Sequence, residues 1–111
     1  MDIEIWDKDA LDAENYQLTD DIFRLFNLVD EREWKKTETV GIAYVEGEIA
    51  GVILTDGYEV CNIVQVRDEY MRQGIATALV EATKAYYPRQ NGAPDFWDRF
   101  QTEQLIGGRN V

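Results

Sequence analysis

Three strand-like runs of apolar residues follow one another in the middle of the chain. They cover residues Val40 to Val45, Ile49 to Leu54 and Tyr58 to Val66. Their apolar residues fall on both faces, so the sheet that they form needs cover by helices on both sides. Glu46-Gly47 predicts a tight hairpin between the first two strands, and Asp56-Gly57 predicts the next turn. The pattern therefore predicts a mixed α/β fold with a mostly antiparallel sheet and helices on both faces.

Two longer helices are expected to cover this sheet. Thr19 is a good N-cap, and apolar residues recur at helical spacing from Asp20 to about Trp34. A second helix is expected to begin within two residues of Gly74 and to be stopped by Pro88. Its expected core-facing residues are Ile75, Ala78, Leu79, Ala82 and Tyr86. The other expected elements are a short strand over residues 3–6, a loop or loose helical turn over 7–18 and a short helix over 95–104 that presents Phe96, Trp97 and Phe100.

The length and composition of the chain indicate a single domain. Its 111 residues suffice for one hydrophobic core, so residues 1–111 are expected to form one unit. The N-terminus is acidic where a secretory signal would be basic, and no apolar run reaches membrane-spanning length. The single cysteine, Cys61, cannot form an internal disulfide. We therefore expect a soluble, cytoplasmic protein with no membrane partner.

The charge and the missing histidine exclude several functions. Acidic residues outnumber basic ones by 22 to 11, which gives a formal net charge of −11. Such a surface repels nucleic-acid phosphates and attracts cationic partners, although excess carboxylates also simply keep a small domain in solution. The chain has no histidine, so Ser-His and Cys-His nucleophile pairs and zinc sites with imidazole ligands are excluded. No nucleic-acid partner and no metal site are expected.

One turn between the third strand and its helix carries residues suited to chemistry. It consists of Arg72, Gln73, Gly74, Ile75, Ala76 and Thr77. Gly74 permits a close approach of the backbone to an oxygen-rich ligand, and the unpaired N–H groups at a helix N-terminus attract anions. Arg72 adds a guanidinium to an otherwise acidic protein. The turn predicts a pyrophosphate site; the alternative is an ordinary loop whose glycine serves the backbone alone.

Residues 62–80 resemble motif A of the GNAT acyl-CoA N-acyltransferases, whose pattern is Gln/Arg-x-x-Gly-x-Gly/Ala after a strand. Val66 occupies the apolar position eight residues before Gly74, and the resemblance extends over the preceding hairpin. It implies a GNAT-like fold with acetyl-CoA as the co-substrate. It further implies that backbone groups of Val64 and Val66 bind the pantetheine arm and that Arg72 to Thr77 bind the pyrophosphate.

The chain departs from this family at three places. Met71 stands where the family's leading Gln or Arg would fall, with Arg72 next to it. Trp97 stands where a tyrosine commonly serves as general acid. No strand pattern follows Pro88, so the C-terminal strands are expected to be shortened or missing. The sheet edge and aromatic residues left without certain cover favour a homodimer or a partner-bound state.

The resemblance also suggests catalytic groups. The family often places its base, a glutamate, on the fourth strand, and Glu59 lies next to the matching position, Val60. Glu59 would need a β-bulge to point towards the site. Tyr87 is the candidate acid, whereas Tyr86 is expected to pack in the core. Gln65 is a candidate for orienting water, since its side chain does not titrate.

Two functions remain open from the sequence. The first is an N-acetyltransferase that moves an acetyl group from acetyl-CoA to a primary amine, either a protein lysine or a small cationic amine. The second is a non-catalytic, acidic GNAT-like protein of the phage type, an inhibitor or accessory protein that docks on a basic partner surface. Motif A favours the enzyme, whereas Met71, Trp97 and the missing strands favour the binding protein.

Overall fold

A computed structural model describes residues 1–89 and 96–97 of the chain. Its elements are β1 (Asp2–Asp7), α1 (Lys8–Glu14), α2 (Tyr16–Leu25), α3 (Glu31–Lys35), β2 (Thr39–Val45), β3 (Glu48–Thr55), β4 (Val60–Val66), a 3-10 turn (Asp68–Tyr70), α4 (Ile75–Thr83) and β5 (Tyr87–Pro88). Phe96 and Trp97 are also helical. Every helix in this part of the chain is too short or too polar to cross a bilayer.

The five strands form one sheet in the order β1-β2-β3-β4-β5. Its first four strands are antiparallel, and β5 runs parallel to β4. The predicted hairpin is confirmed: Glu46 and Gly47 both have positive φ, 52° and 81°, as a two-residue type I′ turn requires. Strand β5 consists of Tyr87 and Pro88 alone, at a position where the sequence predicted the end of the second helix. Two residues are too few to produce a strand pattern.

The first core lies between α1, α2 and α3 and one face of the sheet. Its fully buried members include Leu11, Ile22, Phe26, Val40, Ile42, Val52 and Leu54. A second core lies on the opposite face. It contains Ala43, Ala50, Ile53, Cys61, Ile75, Leu79, Val80, Ala85 and Trp97. The prediction of a mixed, mostly antiparallel sheet with helices on both faces is therefore confirmed.

The predicted start of the first long helix is wrong. Helix α2 begins directly after Asn15, whose side chain accepts a hydrogen bond from the N–H of Leu18 at 3.2 Å and so acts as the N-cap. Thr19, the predicted cap, lies inside α2 and donates its hydroxyl to Asp12 on α1 at 2.8 Å. Residues 7–18, expected to form a loop or a loose helical turn, contain the regular helix α1 and the start of α2.

The predicted second half of that helix is a separate helix, α3. Helix α2 ends at Leu25, and the carboxylate of Asp30 caps α3 by accepting from the N–H of Glu33 at 2.8 Å. Trp34 on α3 is buried, and its indole N–H donates to Asp12 at 3.1 Å. Asp12 thus receives hydrogen bonds from both α2 and α3, which fixes the three short helices relative to one another.

Helix α4 lies close against β3 in the second core. A Cβ atom at Gly51 would lie only 2.9 Å from Cγ2 of Ile75, so this glycine permits the close approach. The helix begins at Ile75, directly after Gly74, which confirms the predicted start. Its buried side includes Val80, whereas Ala82 is exposed, so the predicted core stripe is only partly right.

The C-terminal part of the described chain corrects two further expectations. Helix α4 ends at Thr83, where Lys84 adopts the left-handed conformation with φ of 59°, and Pro88 lies beyond it in β5. Trp97 is only 4% exposed and belongs to the second core. It therefore supplies no uncovered aromatic surface for a homodimer. Phe100, the other aromatic residue in that expectation, lies outside the described residues, as does most of the helix predicted over 95–104.

Candidate functional site

A cleft of about 340 Å³ opens where β4 and β5 separate. Strand β4 pairs with β3 along one edge. Among residues 1–89 and 96–97, its other edge has a strand partner, β5, only at Val60 and Cys61. The floor of the cleft is β4 from Cys61 to Val64, and Pro88 and Trp97 close one side. The opposite side is formed by Asn27, Leu28, Asp30 and Glu33, from the connection between α2 and α3 and from α3 itself.

The backbone of β4 presents hydrogen-bonding groups towards this opening. The N–H of Arg67 donates to the carbonyl of Ala50 at 2.8 Å, and Val66 lies opposite Gly51. In an antiparallel pair, hydrogen-bonded and non-bonded positions alternate. Val66 is therefore at a non-bonded position, and Val64, two residues away, is at another. Their N–H and C=O groups point away from β3, towards the side on which β4 and β5 diverge.

A β-bulge changes the direction of side chains at the start of β4. Leu54 lies opposite Ile63, whereas Thr55 lies opposite Cys61, so Asn62 is the extra residue. Cys61 therefore packs in the second core and Ile63 against the first, although simple alternation would put them on the same face. Asn62 is buried and bridges two neighbours. Its side-chain carbonyl accepts from Nε of Arg89 at 2.6 Å, and its amide donates to a carbonyl on Lys36 at 3.4 Å.

The glycine turn lies beyond the C-terminal end of β4. Gly74 is the N-cap of α4 with φ of 78°, and no side chain caps the helix. The N–H groups of Ile75, Ala76 and Thr77 therefore lack intrahelical partners. No described atom lies within 4 Å of the position that a Cβ at Gly74 would take, so the space beside this glycine is open. Uncapped N–H groups at the positive end of a helix dipole suit an anion.

The two arginines of this region have different roles. Arg67 donates to the carbonyl of Ile49 at 2.9 Å and to the carboxylate of Glu69 at 3.1 Å, and it lies over the ring of Tyr70. These contacts tie the turn to β3. Arg72 is exposed and has a positive φ of 65°, a conformation that is unfavourable for a residue with a Cβ atom. Strain of this kind occurs often at functional sites.

The segment between α2 and α3 is held on β4 by one side chain. The amide of Gln65 donates to Oδ1 of Asn27 at 2.7 Å, and its carbonyl oxygen accepts from the N–H of Leu28 at 3.1 Å. Phe26 and Val29 on either side are buried in the first core. One N–H and one lone pair of the Gln65 amide are engaged in these two contacts, so the side chain positions the segment that lines the cleft. The suggestion that Gln65 also orients water stays a prediction.

The sequence matches the family model of the acetyltransferase (GNAT) domain over residues 16–97. The chain belongs to this family. It resembles a solved aminoglycoside acetyltransferase from an uncultured soil metagenomic sample, with 19% identity and a TM-score of 0.54 over 92% of this chain and 85% of that one. It also resembles the ribosomal-protein-alanine N-acetyltransferase of Brucella melitensis biovar Abortus 2308, with 18% identity and a TM-score of 0.54 over 95% and 91% of the two chains. These two likenesses concern the fold. No curated protein matches the chain.

The two catalytic candidates of this GNAT domain lie together, outside the lining of the cleft. Both Glu59 and Tyr87 are exposed, and the N–H of Tyr87 donates to the carbonyl of Glu59 at 3.0 Å. The β-bulge that Glu59 would need lies further along the strand, at Asn62. The roles of Glu59 and Tyr87 stay predictions.

The cysteine in the cleft floor is not activated. Cys61 is buried, and this burial raises the pKa of its thiol to about 12. At neutral pH the thiol is therefore protonated and a poor nucleophile. The described residues also contain no group of three or more acidic or cysteine side chains that could hold a metal ion.

Sequence reasoning missed polar residues of the cleft, including Glu33 and Asn62, and the hydrogen-bond partner of Asn62, Arg89. Their positions depend on how α3 and β5 lie against β4, which no local pattern reveals. The one available indication was that Asn62 is a polar residue inside an otherwise apolar strand.

Proposed function

We propose that this protein is an N-acetyltransferase that uses acetyl-CoA and a primary amine, either a protein lysine or a small cationic amine. One observation carries the proposal. Among the described residues, the backbone groups of Val64 and Val66 that point away from β3 have no strand partner, and they lie along the strand that leads from the cleft to the uncapped N-terminus of α4. A long ligand with an anionic end can lie along β4, with its anionic end at the N-terminus of α4.

The residues present fit acetyl-CoA. The backbone groups of Val64 and Val66 are proposed to pair with the amides of the pantetheine arm, as a further strand would. The N–H groups from Arg72 to Thr77 are proposed to bind the pyrophosphate, with the open space at Gly74 admitting its oxygens. Arg72 contributes charge to this anion site. Acetyl-CoA supplies an activated thioester, from which the acetyl group passes to the amine nitrogen with release of the CoA thiol and a proton.

Two proton transfers accompany this reaction. The acceptor must lose a proton from its ammonium form before its nitrogen can attack, and the leaving thiolate must gain one. Glu59 is proposed as the base and Tyr87 as the acid. Both side chains are exposed beside the parallel pair of β4 and β5. Glu59→Gln and Tyr87→Phe test these roles, because loss of either group removes the matching limb of the pH–rate profile.

An amine acceptor is supported by two observations. The structural neighbours bear the names of an aminoglycoside acetyltransferase and a ribosomal-protein-alanine N-acetyltransferase, and both names describe acetylation. The net charge of −11 attracts cationic acceptors to the protein. The same charge supports the second candidate, an acidic binding protein that docks on a basic partner. That candidate requires no acetyl-CoA, and a homodimer is compatible with either.

Calorimetric titration with acetyl-CoA separates the two candidates. The enzyme requires saturable binding, which Gly74→Glu should abolish because a side chain and a like charge would enter the pyrophosphate site. Gly47→Glu is the matched control, since Gly47 also has a positive φ and open space, but lies in the β2–β3 turn. Absence of binding by the unmodified protein at millimolar acetyl-CoA would refute the enzyme. Equal binding by both variants would refute the assigned pyrophosphate site.

A further inference from the structure

One side chain of the cleft wall carries a hydrogen-bond donor whose direction is fixed. The backbone N–H of Leu28 donates to the side-chain amide of Gln65 at 3.1 Å. A backbone N–H can only donate, so the atom that it meets is the oxygen of Gln65, and the nitrogen of that amide lies on the other side. This nitrogen donates to Oδ1 of Asn27 at 2.7 Å. The NH₂ group of Asn27 is therefore turned away from Gln65.

The NH₂ group of Asn27 is accessible to a ligand. Asn27 is exposed and lines the cleft, whereas Gln65 does not line it. Within the described part of the chain, no residue accepts a hydrogen bond from this NH₂ group. A ligand pocket is mostly apolar, and a few well-placed polar groups fix the orientation of the ligand. Asn27 places two N–H donors of this kind at the wall.

The next residue adds apolar surface to the same wall. Leu28 also lines the cleft and is 52% exposed. Phe26 and Val29, which flank the pair Asn27-Leu28, are buried in the first core, and the N–H of Leu28 is bonded to Gln65. These contacts hold the pair at the surface, so the side chain of Leu28 stays at the edge of the cleft.

This wall stands beside the part of β4 that is proposed to bind the pantetheine arm. Gln65, which contacts Asn27, lies between Val64 and Val66 in the chain. The arm of acetyl-CoA alternates amide groups with short hydrocarbon segments. The backbone of β4 can pair only with the amide groups that face it, and a carbonyl that faces elsewhere in the cleft loses its hydration unless another donor is present. Asn27 supplies such a donor, and Leu28 supplies apolar surface next to it.

We propose that Asn27 binds acetyl-CoA by donating a hydrogen bond to an amide carbonyl of the pantetheine arm, while Leu28 covers the adjacent hydrocarbon segment. Gln65 sets the direction of the donor. The inference rests on the proposed function, because it concerns the same co-substrate. It adds a contact from the wall formed by the α2–α3 connection to those proposed for β4 and for the turn before α4.

The test compares Asn27→Asp with Asn15→Asp. Each change adds one negative charge at an exposed position, and Asn15 does not line the cleft. Aspartate at position 27 keeps an oxygen for Gln65 but removes the NH₂ donor, whereas aspartate at position 15 still caps α2. In titration calorimetry, Asn27→Asp should bind acetyl-CoA at least about threefold more weakly than Asn15→Asp, as expected for one lost hydrogen bond.

The outcomes of this titration are distinct. Equal binding by the two variants would overturn the role of Asn27 and leave the acetyltransferase standing. No binding by the unmodified protein would refute the acetyltransferase and this contact together. A difference that disappears at high salt would also overturn the proposal, because added salt screens the repulsion between an exposed charge and an anionic ligand.

Two further measurements separate binding from folding. In the unmodified protein, the ¹⁵N–¹H signals of the Asn27 NH₂ group should shift on saturation with acetyl-CoA, and those of Asn15 should not. Unchanged Asn27 signals at saturation would overturn the proposal. Asn27→Asp and Leu28→Ala should melt close to the unmodified protein, since both side chains are exposed, and both should bind acetyl-CoA more weakly. A much lower melting temperature for both variants would mean that the pair supports the fold, and would overturn the proposal.

Discussion

The glycine turn can be tested by a pair of substitutions that have the same effect on folding. Gly74 and Gly47 have φ of 78° and 81°, and at neither does a described atom lie within 4 Å of an added Cβ. Alanine at either position therefore introduces no clash, only a left-handed residue with a side chain, at about 1–2 kcal/mol. Each kcal/mol lowers the melting temperature of a small domain by roughly 4–8 °C. Gly74→Ala and Gly47→Ala should thus melt several degrees lower, by similar amounts.

The two variants should differ in their response to acetyl-CoA. At a hundredfold excess over its dissociation constant, a ligand stabilises the native state by about 2.7 kcal/mol. Gly47→Ala, in the β2–β3 turn, should keep this gain. At Gly74 the methyl group would enter the open space beside the N-terminus of α4, where the pyrophosphate is proposed to bind, so Gly74→Ala should weaken the affinity. A tenfold weaker affinity at the same ligand concentration reduces the gain to about 1.4 kcal/mol.

Differential scanning fluorimetry of both variants, with and without acetyl-CoA, measures both effects. We expect the two variants to have similar melting temperatures without acetyl-CoA. With acetyl-CoA, the melting temperature of Gly74→Ala should rise less than that of Gly47→Ala. An equal shift for the two variants would refute the pyrophosphate site at the turn. A much lower melting temperature for Gly74→Ala without ligand would refute the assumption of open space.

Three further predictions use other contacts. Arg72→Gly and Lys84→Gly each remove a strained left-handed residue, with φ of 65° and 59°, so both should raise the melting temperature, but only Arg72→Gly should weaken acetyl-CoA binding in titration calorimetry. Gln65→Leu removes both hydrogen bonds to the α2–α3 segment, so hydrogen exchange at the amide of Leu28 should accelerate while α4 stays protected. Burial raises the pKa of Cys61 from 9.0 to about 12, so the unfolded chain loses this proton first. Stability should therefore fall between about pH 9 and 12, and Cys61→Ala should show less of this fall in denaturant titrations; an equal fall would contradict the assignment to Cys61.

The parts of the fold that the sequence predicts are those specified by adjacent residues. Glu46-Gly47 is sufficient for the β2–β3 hairpin because a type I′ turn needs two positive φ angles, and Gly74 marks the start of α4 for a similar reason. The break between α2 and α3 was not predictable in this way. Thr19 is a good cap by composition, but its hydroxyl is engaged by Asp12 on another helix. Tertiary contact here overrides a local preference.

In the candidate site, too, the sequence predicts the part formed by adjacent residues and not the part formed by residues distant in the chain. The turn from Arg72 to Thr77 is a contiguous segment, so its likeness to motif A was visible from the sequence. The cleft wall is not contiguous, since Gln65 reaches Asn27 across 38 residues to hold it. Glu33 resembles any charged residue at a helix end until α3 is set against β4. Strand β5 is two residues long and contains a proline, and it forms only because β4 is already in place.

In the proposed function, a protein of net charge −11 binds two ligands of opposite charge, the cationic amine and the anionic acetyl-CoA. An acidic surface raises the local concentration of a cationic acceptor but repels a pyrophosphate, so the anion needs dedicated donors. The sequence provides them beyond one end of β4, where the backbone N–H groups at the start of α4 are uncapped and Arg72 is exposed. Residues 61–64, towards the other end of β4, form the floor of the cleft. Backbone rather than side-chain groups thus allow the proposed anion to bind without reversing the overall charge of the protein.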